Sequence, residues 1–353
     1  MKHMNRIMAA AMTMTMTLSL AACGGSTDPE NTPAQNGEQT EYKVGIVQYV
    51  DHASLNQIVA SIEQRLDERG AELGVTFNYQ DYFQNAQGDG SVTNQIAADL
   101  IADGVDVIVP IASPVAVAMQ TATEENRIPV VFSAVSDPVF TGLAESMETP
   151  GSNLTGTSDA LDTNTIMDLI FAADPDCDYV GLLYDLGQDS STQPIADAKA
   201  YLDSKGIKYV EKTGSTTDEV LMAAQSLVTE GVDAVFTPTD NTIMTAELTI
   251  YETFLQAGIP HYAGADTFAL NGGFLGYGVD YENLGIMTAD MIVDVLVNGA
   301  DPATTPIQTF DSGIATINVE ACQALGFDME TLQETFAPYC TKVQEVETAE
   351  NFE

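Results

Sequence analysis

Two stretches of this chain occur twice, in the same order. "YKVGIVQYVDHASLNQIVASIEQRLDERG" is echoed by "DYVGLLYDLGQDSSTQPIADAKAYLDSKG": each runs from an aromatic residue through a Val-Gly step and an apolar run into a polar loop, then a helical stretch ending in Gly. "GVDVIVPIASPVAVAMQTATEENRIPVVFSAVSD" is echoed by "GVDAVFTPTDNTIMTAELTIYETFLQAGIPHYAGAD", with Gly-Val-Asp, an apolar run, a turn, a helix, and Ile-Pro before another apolar run. A chain that carries one pattern twice builds two similar lobes. The runs Val44–Val47, Val105–Ile111, Val130–Phe132, Val180–Leu183 and Ala234–Phe236 are short and continuously apolar. Alternating with helices, such runs form a parallel sheet buried on both faces. Helices are expected at Leu55–Arg69, Thr93–Ala102, Val115–Glu124, Thr163–Ala172, Ile195–Ser204, Glu219–Thr229, Thr242–Gln256 and Glu282–Val297. The expected fold class is α/β, with two doubly wound parallel-sheet lobes.

Ligands of open α/β sheets bind outside the carboxyl ends of the strands. With the lobes face to face, one cleft is lined by Gln48–Ser54, Ala112–Pro114 and Ser133–Pro138 from lobe 1, and by Tyr184–Ser191, Thr237–Asn241 and Ala265–Leu270 from lobe 2. None of these loops holds a Lys or Arg. An anion would have only backbone amides to meet it, so a neutral or zwitterionic ligand fits better. The chain is expected to cross between lobes near Gly151–Asp159, Gly276–Tyr281 and Asp311–Ala315. Lobe 1 is then 42–155 plus 281–312, lobe 2 is 156–280 plus 313–340, the joint is a three-segment hinge, and 341–353 is left as an acidic tail.

The first residues carry an address. Lys2 and Arg6 precede an apolar, Thr-softened run, Ile7–Leu20, too short for the ~20 residues that span a bilayer. Leu20-Ala21-Ala22-Cys23 resembles the bacterial lipobox, which implies removal of 1–22 and lipidation of Cys23. Residues 23–41, rich in Gly, Pro and acids, read as a flexible tether. The expected location is the outer face of the cell membrane.

There are 11 basic residues against 52 acidic ones, a formal net charge of −41, and losing Lys2 and Arg6 makes it −43. Such a surface repels nucleic acid and anionic lipid. The acids are scattered as a solvated coat, and a field of this strength suits moderate or high salt. Cys177, Cys322 and Cys340 remain after Cys23; Cys322–Cys340 is the most economical disulfide, barely favoured over none. The three histidines have no paired spacing, so no metal site is expected.

The loop segments carry a resemblance. "VGIVQYVDHASL", "DVIVPIASPVA", "IPVVFSAVSDP" and "GSNLTGTSD", then "VGLLYD", "VDAVFTPTDN" and "GYGVDYENLG", follow in the order seen in ABC-transporter substrate-binding proteins of the tryptophan/tyrosine-binding type, which have a periplasmic binding protein-like type I fold. The resemblance covers roughly Tyr42–Phe336. The proline that usually follows the histidine is Ala53 here, and the usual Asn-Ser is Ser190-Ser191, which bears on ligand identity. The resemblance implies capture of a small molecule, an aromatic amino acid such as tryptophan, tyrosine or phenylalanine, and its delivery to an ABC permease, by a monomer without cofactor.

The candidate ligand-binding residues are Gln48, Tyr49, His52, Ser113, Ser133, Asp137, Tyr184, Ser190, Ser191, Asp240, Asn241, Asp266, Phe268 and Tyr277. Ser113 opens a helix, whose free N–H groups suit an α-carboxylate. Asp137, Asp240 and Asp266 are candidates for the amine; Asp137 equally reads as a turn cap and Asp240 as a helix cap. Tyr49, Tyr184, Phe268 and Tyr277 either stack on an aromatic ligand or pack within the lobes. A sensor for a membrane receptor, or binding of a nucleoside, purine or sugar, stays open. The chain has no nucleophile elbow, Walker loop or dinucleotide fingerprint, so an enzyme is not expected. No basic helix-turn-helix supports a DNA-binding regulator.

Overall fold

The computed structural model describes residues 40–310 and 313–352. The signal, Cys23 and the tether lie outside the described residues. Lobe 1 opens with β1 (Glu41–Gln48), α1 (Ala53–Leu73), β2 (Thr76–Asn78), β3 (Gln84–Asn85), α2 (Gly90–Asp103), β4 (Val107–Ile111), α3 (Ser113–Thr123), β5 (Val130–Phe132) and β6 (Leu154–Ser158). The chain then enters lobe 2 through α4 (Thr163–Ala173), β7 (Tyr179–Tyr184), α5 (Asp189–Lys205), β8 (Lys208–Thr213), α6 (Thr217–Glu230), β9 (Ala234–Thr237), α7 (Asn241–Ala257), β10 (His261–Ala263), α8 (Asp266–Leu270) and β11 (Leu275–Gly278). It returns to lobe 1 for α9 (Tyr281–Leu296) and β12 (Gln308–Thr309), and ends in lobe 2 with β13 (Ile314–Asn318), α10 (Val319–Leu325), α11 (Met329–Phe336) and β14 (Lys342–Val346).

Each lobe holds one seven-stranded sheet. The first has the order β12-β6-β5-β4-β1-β2, with β3 also beside β1; the second has the order β14-β13-β11-β10-β9-β7-β8. Pairing is parallel except where β13 meets β11 antiparallel. That reversal, and β14 alongside β13, depart from the expected all-parallel lobe, and the presumed tail contributes an edge strand. The strand order reverses between β1 and β4 in lobe 1 and between β7 and β9 in lobe 2. These are the switch points at which loops splay apart and leave room for a ligand.

The central strands are buried on both faces, with Val44, Ile46, Val107, Val109, Val180, Leu182 and Phe236 fully inaccessible. Helix covers are held in place by end signals in the sequence. Asp89, Asp162, Asp240, Asp280, Asn318 and Asp328 each accept N–H bonds from a helix first turn. Gly74, Gly104, Gly206, Gly231, Gly258 and Gly326 end helices in the left-handed conformation. α9 lies along α1, and Gly285 makes this close approach possible: a Cβ there would stand 2.7 Å from the Ile58 carbonyl oxygen.

Two lobe crossings are described in full, one after β6 and one at Val279–Asp280. Residues 311 and 312 of the third lie outside the described residues. Cys177, Cys322 and Cys340 are free thiols, so the expected Cys322–Cys340 bridge is not formed. Cys322 is buried with its Sγ directed at the Phe327 carbonyl, while Cys340 is half-buried beyond α11. Among the described residues no helix is long and apolar enough to cross a membrane, and no cluster of three or more His, Cys, Asp or Glu is arranged to hold a metal ion.

Candidate functional site

A crevice closes between the lobes, and every strand-end loop near the switch points contributes to it. Lobe 1 supplies His52, Ser54 and Leu55 after β1, Ala112 and Ser113 after β4, Ala134 and Ser136 after β5, and Asp159 after β6. Lobe 2 supplies Ser190, Thr239, Asn241 and Met244, and Tyr281 enters from the second crossing. The crevice is nearly shut in this arrangement, with a cavity volume of about 10 Å³.

Helix ends give the crevice its polarity. α3, α5 and α8 have no side-chain cap, whereas the first turns of α1, α2, α4, α6, α7, α9, α10 and α11 are all capped by a side chain. All three uncapped helices start on strand-end loops at the lobe boundary. Of these, α3 begins at Ser113 on the crevice wall, with Pro114 in its first turn, so its N–H groups are left for something other than a side chain. Ala112 and Ala134 line the same wall with φ of 87° and 53°. Residues other than Gly held in the left-handed region cost of order 1–3 kcal/mol, and such strain concentrates at functional sites.

Opposite polarity comes from Asp159. It is 5 % exposed and accepts a hydrogen bond from the Ser136 hydroxyl at 3.0 Å. Burial pushes its carboxyl up to about 6, because no cation faces it; the Ser136 bond only partly offsets this. Tyr281 stands beside it with a phenol that burial raises well above the usual value, reinforced by Asp159 and Asp266. Met244 and Leu55 add apolar surface.

Of the residues singled out from sequence, His52, Ser113, Ser190 and Asn241 line this crevice. His52 accepts from the Leu55 N–H through Nδ1 and meets the Asn241 Oδ1 at 3.0 Å through Nε2. Ser190 donates to the Thr239 carbonyl at 2.8 Å.

The other candidates lie elsewhere. Gln48 is tied to Asn56 at 2.7 Å, and Tyr49 lines an outer groove. Ser133 bonds Thr288 and Thr157 beneath α9, because β5 turns it into the core. Asp137 accepts from the Phe140 N–H and closes a turn. The Tyr184 phenol donates to Glu211 at 2.7 Å within lobe 2.

Asp240 is saturated by four donors, the N–H groups of Asp185, Thr242 and Ile243 and the Ser191 hydroxyl, so Ser191 is engaged there too. Asp266 accepts from Ser54 at 3.1 Å and borders a separate cavity behind Tyr281; burial raises its carboxyl to about 6. Phe268 packs edge-on against His261, and Tyr277 is buried in the lobe 2 core. Asp159 and Tyr281 were not among the sequence candidates. They are the last residues of the crossings expected at Gly151–Asp159 and Gly276–Tyr281, where Tyr277 was the one candidate.

The lobes also touch directly. The Ser54 N–H donates to the Thr267 hydroxyl at 2.8 Å, and Gln188 donates to the Tyr49 phenol at 3.4 Å.

Comparison with known proteins agrees with this architecture. The family model described as ABC transporter substrate binding protein matches residues 43–343. The chain is 30 % identical over 331 residues to a tyrosine-binding protein of Clostridioides difficile (strain R20291), covering 94 % of this chain and 93 % of that one. Among solved structures, it resembles a Streptococcus pneumoniae ABC domain in complex with L-Trp, with a TM-score of 0.78 at 31 % identity over 86 % of this chain and 100 % of that one. A ligand-free, open substrate-binding protein from Clostridium difficile gives 0.65 at 30 % identity over 87 % and 100 %. Near-equal identity with a lower score against the open form is what lobes closed on one another produce. The match over nearly all of the two-lobed body means that the chain belongs to the family of ABC transporter substrate-binding proteins.

Proposed function

We propose that the chain captures a free aromatic amino acid between its lobes and presents it to an ABC permease. The observation that carries this reading is the polarity of one buried crevice, with the uncapped start of α3 and a cation-less Asp159 both on its walls. A zwitterion complements that pair: its carboxylate meets the α3 N–H groups with Ser113 and its ammonium meets Asp159. Tyr281 supplies a ring for an offset or edge-on contact with the side chain, and Met244 and Leu55 supply apolar surface. The tyrosine-binding relative and the L-Trp complex support the same ligand class.

The work is binding rather than catalysis, in keeping with the family. Members act outside the cytoplasmic membrane; in this chain Cys23 carries the lipid anchor, and the body works as a monomer. Ligand stabilises the closed arrangement by its higher affinity for it.

Thermal shift with the twenty amino acids, purines, nucleosides and sugars tests the reading. A ligand at a hundredfold excess over its Kd adds about 2.7 kcal/mol, a shift of several degrees. Tryptophan, tyrosine or phenylalanine should give it. If all three leave Tm unmoved while another compound raises it, the aromatic assignment is lost.

A further inference from the structure

Asn241 stands on a wall between two cavities. Inward it borders the crevice with Ser113 and Asp159; outward it borders a groove of about 190 Å³ between Tyr49 and Gly88 of lobe 1 and Thr216 and Thr245 of lobe 2. The wall is a chain of hydrogen bonds with one possible sense. The Leu55 N–H donates to His52 Nδ1, so that nitrogen is bare. Burial keeps the ring neutral, lowering it to about 4, so its proton is on Nε2 and goes to Asn241 Oδ1 at 3.0 Å. Asn241 Nδ2 donates to Gln188 Oε1 at 3.0 Å, Gln188 Nε2 donates to the Tyr49 phenol oxygen, and that phenol donates to the Gly88 carbonyl, the last two at 3.4 Å. Two of these links, His52 to Asn241 and Gln188 to Tyr49, run from lobe to lobe.

We propose that His52, Asn241, Gln188 and Tyr49 form a gate that latches the lobes and separates the inner crevice from the outer groove, so that its opening times ligand release. The proposal rests on the reading that the crevice holds the ligand. It gives His52 and Tyr49 a positioning role rather than a ligand contact. Each of the two lobe-to-lobe links is a neutral hydrogen bond, so losing one should speed release by about 2- to 12-fold.

The chain contains no Trp, so the emission of bound L-tryptophan reports its release directly. Stopped-flow traces for Tyr49→Phe and Gln188→Met should show faster release, with association rates within twofold of the parent. The double variant should be no faster than Gln188→Met alone, since the two changes remove the same lobe-to-lobe bond, Gln188 to Tyr49, and the other bonds they break, Asn241 to Gln188 and Tyr49 to Gly88, each lie within one lobe. Small-angle scattering of the ligand-free variants should give a larger radius of gyration than the parent. Unchanged release, association slowed by the same factor as affinity is lost, or a double variant that multiplies the single effects would overturn the gate. If the parent does not bind tryptophan, the ligand reading fails, and scattering alone decides the gate: an unchanged radius of gyration sinks it.

Discussion

A carboxyl held near pH 6 makes binding depend on protonation. The ligand-free Asp159 is neutral below about 6 and ionised above it. An ammonium binds the ionised form, so affinity should be flat above pH 6 and fall as pH drops below it, approaching tenfold per unit. Calorimetry in buffers of different ionisation heat should detect proton release near pH 6 and none at pH 8. Asp159→Asn should cost about 2–5 kcal/mol of binding, as for a buried charge pair that loses one partner. Its ligand-free Tm should hold or rise, because a poorly solvated charge has gone. Asp240→Ala should behave in the opposite way. All four of its donors come from the protein, so the loss falls on stability, about 1–3 kcal/mol in a chemical melt, with a smaller change in ligand affinity. Both acids stand just beyond the carboxyl end of a strand, Asp159 after β6 and Asp240 after β9, and the count of donors around each separates them.

Helix and strand positions were largely legible because caps and glycines mark their ends. Asp89 and Gly104 bracket α2, and Asp240 and Gly258 bracket α7. The repeated halves placed β1, β4, β7 and β9, and hence the switch points. What lay outside the repeat was not legible: β13, α10, α11 and β14 have no counterpart in the first half to reveal them. Residues that line the crevice were legible where a loop leaves a strand end, as at His52, Ser113, Ser190 and Asn241. They were lost where a residue next to a strand end turns into the core, as at Ser133, or where a hinge residue doubles as a wall, as at Asp159 and Tyr281. The contact of α9 with α1 was also hidden, since nothing in the sequence says which helix Gly285 faces. Gly285→Ala would force its methyl to within 2.7 Å of the Ile58 carbonyl oxygen. The helices must part, and overpacking of this kind costs about 1–3 kcal/mol. Thermal denaturation should show a Tm several degrees lower.

Charge acts on the molecule as a whole. Four cations, Arg65, Arg69, Lys199 and Lys212, hold the Lys and Arg salt bridges among the described residues, a small fraction of what 52 acids could engage. The rest repel one another, and salt screens that repulsion over a Debye length of about 10 Å at 0.1 M and about 3 Å at 1 M. Tm should therefore climb as NaCl is raised from 0.1 to 1 M, and a flat or falling curve would show that the acidic coat carries no such strain. The route of the backbone has a separate consequence. α9, the helix that covers α1, is made only after the entire run from α4 to β11 has been threaded through the other lobe. A ribosome therefore delivers the first half with one flank of its core bare, and the two halves mature together. Excising the first half as an independent unit would take a splice that joins residue 158 to residue 281, not a simple truncation.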